Sequence, residues 1–374
     1  MRHWPGTRKS FFCTAGGTVD ITIHEVLEDG NVKEIYKATG GAWGGQEVDE
    51  AFKQFLIKIF GNTVVQKFKV EAMEDYVRLF RDFELKKRKV NPIGKEDVTV
   101  FIPSSLLEIF RDDTGETLTE AINQTLFAAN IRVLKGNKLR LDHSIMRDFF
   151  ERSLRSVCDH LQTFHEDHEK YKYGISMALL VGGFSDSPIL STAIRENCST
   201  WKVIVPDGAS LIVLKGAVLY GYDQSIIVYR VARYTYGISV MKMFIEGVHP
   251  VEKLIVNDEG RRLCENVFKT FLEEGSLVRY DQIVYECKGC MPSESNDDNL
   301  NISIYASTVK DAKFTTDECC FLLGTLTVNG LDMSIARSQR KVDVTITHKG
   351  TDLHIYAIDT RSGRKLDACI DLLD

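Results

Sequence analysis

Three separated groups of residues in this 374-residue chain are candidates for chemistry by residue type and spacing. The first is Gly16-Gly17-Thr18, followed by Asp20. The turn is phosphate-loop-like, because consecutive backbone N–H groups in a glycine-rich turn form a concave anion site, and Thr18 and Asp20 stand beside it. The second is Glu84, Lys87 and Arg88, whose i, i+3, i+4 spacing puts them on one helix face. Read alone, they make a solvated face with an ion pair. The third is Leu180-Val181-Gly182-Gly183-Phe184-Ser185-Asp186-Ser187-Pro188. An apolar run starting at Met177 ends there in a glycine pair, as when a strand buried on both faces hands over to a loop that a ligand can approach closely. Read alone, it is a strand-to-helix turn with Pro188 at the first helical position.

The elements that must position these groups follow from periodicity. Val19, Ile21 and Ile23 alternate with Thr18, Asp20, Thr22 and His24, which predicts a strand with Thr18 and Asp20 on the same side. Asp29-Gly30 predicts a turn and Val32 to Ala38 a returning strand. Gly40 to Gly45 is too glycine-rich for regular structure, and Val48, Phe52, Phe55, Leu56 and Ile59 mark a helix after it. Further helices are predicted from about Val70 to Lys89, along Ile145, Phe149, Leu154, Val157, Leu161 and Phe164, from Pro188 to about Asn197, and from Ser210 to Tyr220. Strands are predicted at Val98 to Pro103, Met177 to Val181 and Lys202 to Val205. Alternating strands and helices imply an α/β layer architecture. From about Ile226 the runs become β-like, with only Gly260 to Glu274 helical in spacing and Met291 to Asn299 a mobile polar loop. The expected division is an unassigned segment 1–10, an α/β domain 11–223 with a mainly helical insert at about 40–137, and a mostly β domain 224–374.

Composition narrows the function class. A net charge of -6, from 47 basic and 53 acidic residues, argues against a nucleic-acid surface or an anionic membrane as partner. No apolar window is long enough for a transmembrane helix, and the first ten residues lack a signal-peptide core. Nine cysteines without framework spacing suggest free thiols in a reducing, cytoplasmic setting. Cys287 and Cys290 have the spacing of a zinc knuckle, for which Cys319-Cys320 is a poor partner pair. No HExxH array or G-x-S-x-G elbow supports hydrolase chemistry.

In order and spacing, these pieces resemble the second lobe of the actin-like (ribonuclease H-like) ATPase domain of the heat-shock 70 kDa family, in detail its divergent 12A/12B-like branch. The resemblance rests on Gly17 to Thr22, Gly40 to Phe52 with Trp43-Gly44-Gly45, Phe83 to Arg88, Val181 to Pro188 and Leu214 to Val218. It continues through Tyr236-Gly237-Ile238, His249-Pro250, Glu252-Lys253-Leu254 and Ile370-Asp371-Leu372-Leu373. It implies a chaperone-like protein that binds ATP or ADP with Mg, and a protein client or co-chaperone as partner. Gly16, Gly17 and Thr18 would donate to the phosphates, and Asp20 would sit by the Mg ion, through water, or by the attacking water. Glu84 would accept from the ribose, Lys87 would lie at the sugar, and Arg88 would stack on adenine. Gly182 and Gly183 would admit the adenosine edge, with Ser185 and Asp186 at its rim.

The chain also departs from that pattern. Cys13 stands where the family's phosphate turn has an aspartate, and Ala15 where it has its first glycine. The family's first lobe, with the other phosphate hairpin and a catalytic lysine, is expected before Phe11, where ten unfamiliar residues stand. Phosphoryl transfer depends on positioning and charge neutralisation around the γ-phosphate, so weak nucleotide binding and negligible turnover are expected. The alternative from another class is a non-catalytic protein-interaction module with a vestigial nucleotide lobe. A sugar kinase is disfavoured because nothing resembles a sugar site.

Overall fold

The computed structural model describes the backbone of residues 8–14, 17–171 and 175–372, and the side chains of 17–162 and 175–372. Ala15 and Gly16 lie outside the described residues. Contacts divide the chain into two compact units, one of Thr7–Ile23 and Ala38–Leu219, the other including His24–Lys37 and Tyr220–Asp374.

The first strands are β1 (Arg8–Thr14), β2 (Val19–Val26) and β3 (Val32–Gly41), of which the stretch His24–Lys37 belongs to the C-terminal unit and the rest to the N-terminal one. Alternation in β2 buries Val19, Ile21 and Ile23 completely. β3 runs on through Gly40 and Gly41, which the composition of that stretch had placed outside regular structure. A Cβ at Gly40 would stand 2.0 Å from the Val19 carbonyl oxygen, and one at Gly41 2.4 Å from the Trp43 ring. The neighbouring strand and the indole fill the space a side chain would need, so these glycines belong to the strand.

Helix α1 (Gly45–Phe60) buries Val48, Phe52, Phe55, Leu56 and Ile59 along its apolar stripe. The expected helix from Val70 to Lys89 is two helices, α2 (Asn62–Glu71) and α3 (Met73–Lys87), broken at Ala72, whose φ of -132° and ψ of 51° are not helical. Phe83 of α3 stacks on Phe52 of α1 at 4.0 Å and 5°. Next come β4 (Val98–Phe101), α4 (Ser104–Thr114), α5 (Leu118–Asn123), β5 (Ile131–Leu134) and β6 (Lys138–Leu141). The three strands form an antiparallel sheet in the order β4-β6-β5.

The long helix α6 (His143–Tyr171) leads to β7 (Met177–Val181), α7 (Pro188–Asn197), β8 (Lys202–Ile204) and α8 (Ala209–Tyr222). β7 lies parallel to β1 (Phe11↔Leu179) and to β8 (Met177↔Lys202), in the strand order β3-β2-β1-β7-β8. The apolar run of β7 is buried because it lies between two parallel neighbours. In contrast, α8 buries only Ala209.

In the C-terminal unit, β9 (Ile227–Val231) pairs parallel with the start of β3. Then come β10 (Thr235–Met243), β11 (Leu254–Val256), β12 (Arg262–Leu272), β13 (Leu277–Arg279) and β14 (Gln282–Cys290). The chain ends with β15 (Leu300–Ser307), β16 (Cys320–Val328), β17 (Val342–Lys349), β18 (Asp352–Asp359) and β19 (Lys365–Asp371). One antiparallel sheet has the order β11-β12-β10-β15-β16, another β14-β17-β18-β19. They share an apolar core to which alternate residues contribute: Ile302 and Ile304, Leu326 and Val328, Val342, Val344 and Ile346, Leu353, Ile355 and Ala357.

Three expectations fail in this unit. The helix read at Gly260 to Glu274 is strand β12. Asn266 has φ +57°, and register shifts against β10 at two places insert extra residues into β12. The bulges bring Cys264, Val267, Phe268 and Leu272 inward, a 3-and-4 spacing that mimics a helix. The polar loop 291–299 is tied down: Arg340 donates to the carbonyls of Ser295 and Asp297 at 2.7 and 3.0 Å. Finally, Cys287 and Cys290 are joined as a disulfide, with Cα atoms 6.3 Å apart, so they are neither free thiols nor a zinc knuckle.

Candidate functional site

A cavity of about 340 Å³ in the N-terminal unit is lined by Gly45, Gln46 and Asp49 of α1, by Glu84, Lys87 and Arg88 around the end of α3, and by Gly183, Phe184 and Ser187 after β7. Packing explains the convergence. Phe52 and Phe83 stack, and Phe149 of α6 meets their edges at 5.9 and 5.8 Å. Asp49 lies three residues before Phe52, and Lys87 one helical turn after Phe83, so the aromatic stack fixes where both charges emerge.

Lys87 is only 5% exposed. Its ammonium lies 2.6 Å from Asp49 Oδ1, 2.5 Å from Glu84 Oε2 and 3.1 Å from the Gly45 carbonyl. Arg88 donates through Nε, and approaches through Nη2, to Glu84 Oε1, both at 2.8 Å. Burial pushes the Asp49 carboxyl up, with the Lys87 ammonium pulling the other way. Burial also works against ionisation of Glu84, but the bonds from Lys87 and Arg88 outweigh it and hold that carboxyl below the usual range. Two cations and two carboxylates leave the cavity formally neutral. Glu84 Oε1 is occupied twice, whereas Oε2 keeps capacity for a hydroxyl donor. Half of the Arg88 side chain is exposed, so its guanidinium plane is open to stacking.

The loop after β7 shapes the opposite wall. Gly182 has φ +97°, a conformation only glycine adopts cheaply, and its N–H donates to the Ala209 carbonyl at 2.9 Å. A Cβ at Gly183 would project into open space. Ser185 is buried, and its hydroxyl donates to the Gly182 carbonyl at 2.6 Å, so it braces the turn from within instead of standing at a rim. Asp186 is exposed and outside the lining set. Ser187 takes that place. It precedes α7, is 3% exposed, and its hydroxyl has no hydrogen-bond partner among the described residues.

Gly17 adjoins this cavity without lining it. Its carbonyl accepts from the Gly44 N–H at 3.3 Å, and a Cβ there would stand 3.3 Å from Gln46 Oε1. Thr18 is exposed and donates to Asp20 Oδ2 at 3.0 Å. Thus Glu84, Lys87, Arg88 and Gly183 share one cavity, with Gly17 one side chain away. Sequence reasoning missed Gln46, Asp49 and Ser187. Nothing local marks Gln46, whereas Asp49 had a usable signal as a polar residue in the apolar register of α1.

The residues fit a nucleoside. The volume lies at the lower end of the roughly 300–1,000 Å³ of small-molecule sites, with apolar Phe184, an open cation and a few polar groups on the walls. Asp20 offers a single exposed carboxylate toward a cation, which is enough only where phosphates supply the remaining ligands.

A mixed α/β chain with several sheets and eight helices among the described residues is compatible with an actin-like ATPase fold. No family model matches the chain. Human Heat shock 70 kDa protein 12A is 30% identical over 371 residues, which is 96% of this chain and 53% of that protein. The mouse protein of the same name and human Heat shock 70 kDa protein 12B match over the same shares at 30% identity. The chain is a homologue of these proteins and spans about half the length of the curated relatives it matches. No helix among the described residues is long and apolar enough to cross a membrane.

Proposed function

We propose that the chain binds an adenine nucleotide, ATP or ADP, with the nucleoside in the cavity between α1, α3 and the loop after β7. The observation that carries this reading is one cavity holding Glu84, Lys87, Arg88, Gly183 and the unpartnered buried hydroxyl of Ser187. Arg88 would stack on the base, and the remaining capacity of Glu84 Oε2 would accept a ribose hydroxyl. Lys87, saturated by Asp49, Glu84 and Gly45, holds these groups in place more than it contacts the sugar. The phosphates would run toward Gly17 and Thr18, with Mg carried by them and approached by Asp20 through water.

Binding is proposed without efficient turnover. Lys87 and Arg88, paired with carboxylates, would stand at the nucleoside end, away from where Gly17 and Thr18 would meet the phosphates, so they would not neutralise a developing γ-phosphate charge. The likeness to heat shock 70 kDa proteins supports the chaperone-like role, with a client or co-chaperone as partner, that the sequence resemblance implies for such a binder.

The test is thermal melting with ATP and ADP, with and without magnesium. At 1 mM nucleotide, about tenfold above a Kd of ~0.1 mM, binding adds about 1.4 kcal/mol. That raises the melting temperature by roughly 3–6 °C for a domain of about 200 residues. Arg88→Ala is expected to abolish the shift. No shift at millimolar nucleotide would instead favour a non-catalytic interaction module.

A further inference from the structure

Outside the cavity, one cluster of chemistry-bearing side chains stands out, on the face of β18 and β19 that points away from the core. Antiparallel pairing sets His354 opposite Cys369 and Asp352 opposite Asp371. Strand alternation puts all four on one face, while Leu353, Ile355 and Ile370 fill the other. One donor atom each from Asp352, His354 and Cys369 lies within 4.8 Å of the others.

We propose that Asp352, His354 and Cys369 form a site for a borderline-soft divalent cation of the zinc type, with water completing a four-coordinate shell. The donor set is the first argument: a thiolate, an imidazole and a carboxylate together select zinc-like ions over magnesium or calcium. Geometry is the second. Cys369 Sγ lies 3.5 Å from His354 Nε2. Zinc bonds of about 2.3 Å to sulfur and 2.0–2.1 Å to nitrogen at a tetrahedral angle put those atoms about 3.6 Å apart. The third is electrostatic. Two aspartates directly opposite in a ladder repel each other, and a cation between them converts that repulsion into attraction.

Nearby charges leave room for the ion. Lys349 pairs with Asp352 in the ladder from β17, but its ammonium is directed at Asp281 Oδ1 at 3.7 Å and toward the Tyr356 hydroxyl at 3.5 Å. A Cys-His-Asp nucleophile is the competing chemistry, and it fits poorly, because the paired Asp352 and Asp371 next to Cys369 in the ladder make its surroundings electronegative, the reverse of what activates a thiol. On metal binding the thiol gives its proton to solvent and the sulfur becomes a ligand.

The test is titration of the intact chain with Co²⁺, followed by the thiolate-to-cobalt charge-transfer band and then displacement by Zn²⁺. The band is expected in the wild type and in a Cys319→Ser/Cys320→Ser control, and absent in Cys369→Ser. His354→Gln and Asp352→Asn are expected to weaken binding at least tenfold, with unchanged far-ultraviolet circular dichroism because these side chains lie at the surface. No band in the wild type, a band that survives Cys369→Ser, or one lost with Cys319 and Cys320 overturns the proposal.

Discussion

Replacing Lys87 with methionine keeps length and apolar contact at the α3 terminus but removes the charge that Asp49 and Glu84 share. The ammonium makes two close ion pairs and one bond to a backbone carbonyl from a position 5% exposed. Charge-assisted bonds contribute about 1.5–3 kcal/mol each, and stranding a buried partner costs about 3–5 kcal/mol. Both carboxylates are about one-third exposed, so water recovers part of that loss. A net destabilisation of roughly 2–4 kcal/mol follows, or about 4–16 °C in melting temperature. Its pH dependence carries a definite sign. Glu84 is held below the usual range in the wild type, so it contributes stability above its unfolded pKa, and acid removes that contribution. In Lys87→Met the Lys87 part of that contribution is gone while Arg88 keeps its own, and Asp49 is left without its lowering partner, so the gap between variant and wild type is widest near neutrality and narrows toward pH 4. Guanidinium unfolding between pH 4 and 7.5 measures this, with Lys86→Met as the control for an ordinary helix-surface pair to Asp82. A Lys87→Met chain that melts within a degree or two of the wild type, or a gap independent of pH, refutes the reasoning.

Two further expectations concern fold and cavity. Gly40→Ala, whose new methyl would stand 2.0 Å from a backbone oxygen, is expected to lose about 3 kcal/mol in chemical denaturation. Gly183→Ala should change stability by less than about 1 kcal/mol, because the methyl meets open space, yet weaken the nucleotide-induced melting shift by filling the cavity wall. In the C-terminal unit, burial and then the Arg230 charge lower His24 and His348 to about 4. Their stability contribution is complete above the unfolded value near 6.5 and is lost as pH falls toward 4, roughly 2 kcal/mol each by pH 5. A urea midpoint unchanged between pH 7.5 and 5 would contradict this.

How much of this could be read beforehand depends on whether the signal was local. The alternation of β2, the buried run of β7 and the Pro188 start of α7 were legible because period and punctuation agree with the backbone. β12 was misread because its two bulges change the side-chain phase, and a shifted strand has the spacing of a helix. Gly40 and Gly41 were misplaced because their reason lies in Val19 and Trp43, residues that meet them only after folding. In the site, charged residues on one helix face were visible, but the carboxylate that completes the Lys87 arrangement comes from 38 residues earlier. Ser185 and Ser187 differ in their surroundings: the Ser185 hydroxyl bonds back to the Gly182 carbonyl, whereas Ser187 lines the cavity with its buried hydroxyl unpartnered among the described residues, which spacing alone does not distinguish.

Helix α8 shapes the handling of the whole molecule. Its 14 residues carry one formal charge, Lys215, and Leu211, Leu214, Val218 and Leu219 are each more than half exposed. Contiguous apolar surface of this kind is rare on monomeric proteins and drives self-association. Solutions of the chain should therefore cloud with rising concentration, and sulfate or phosphate buffers, which strengthen apolar association, should hasten it. Dilute, low-salt preparation is the colloidal regime that this rod-like greasy surface demands.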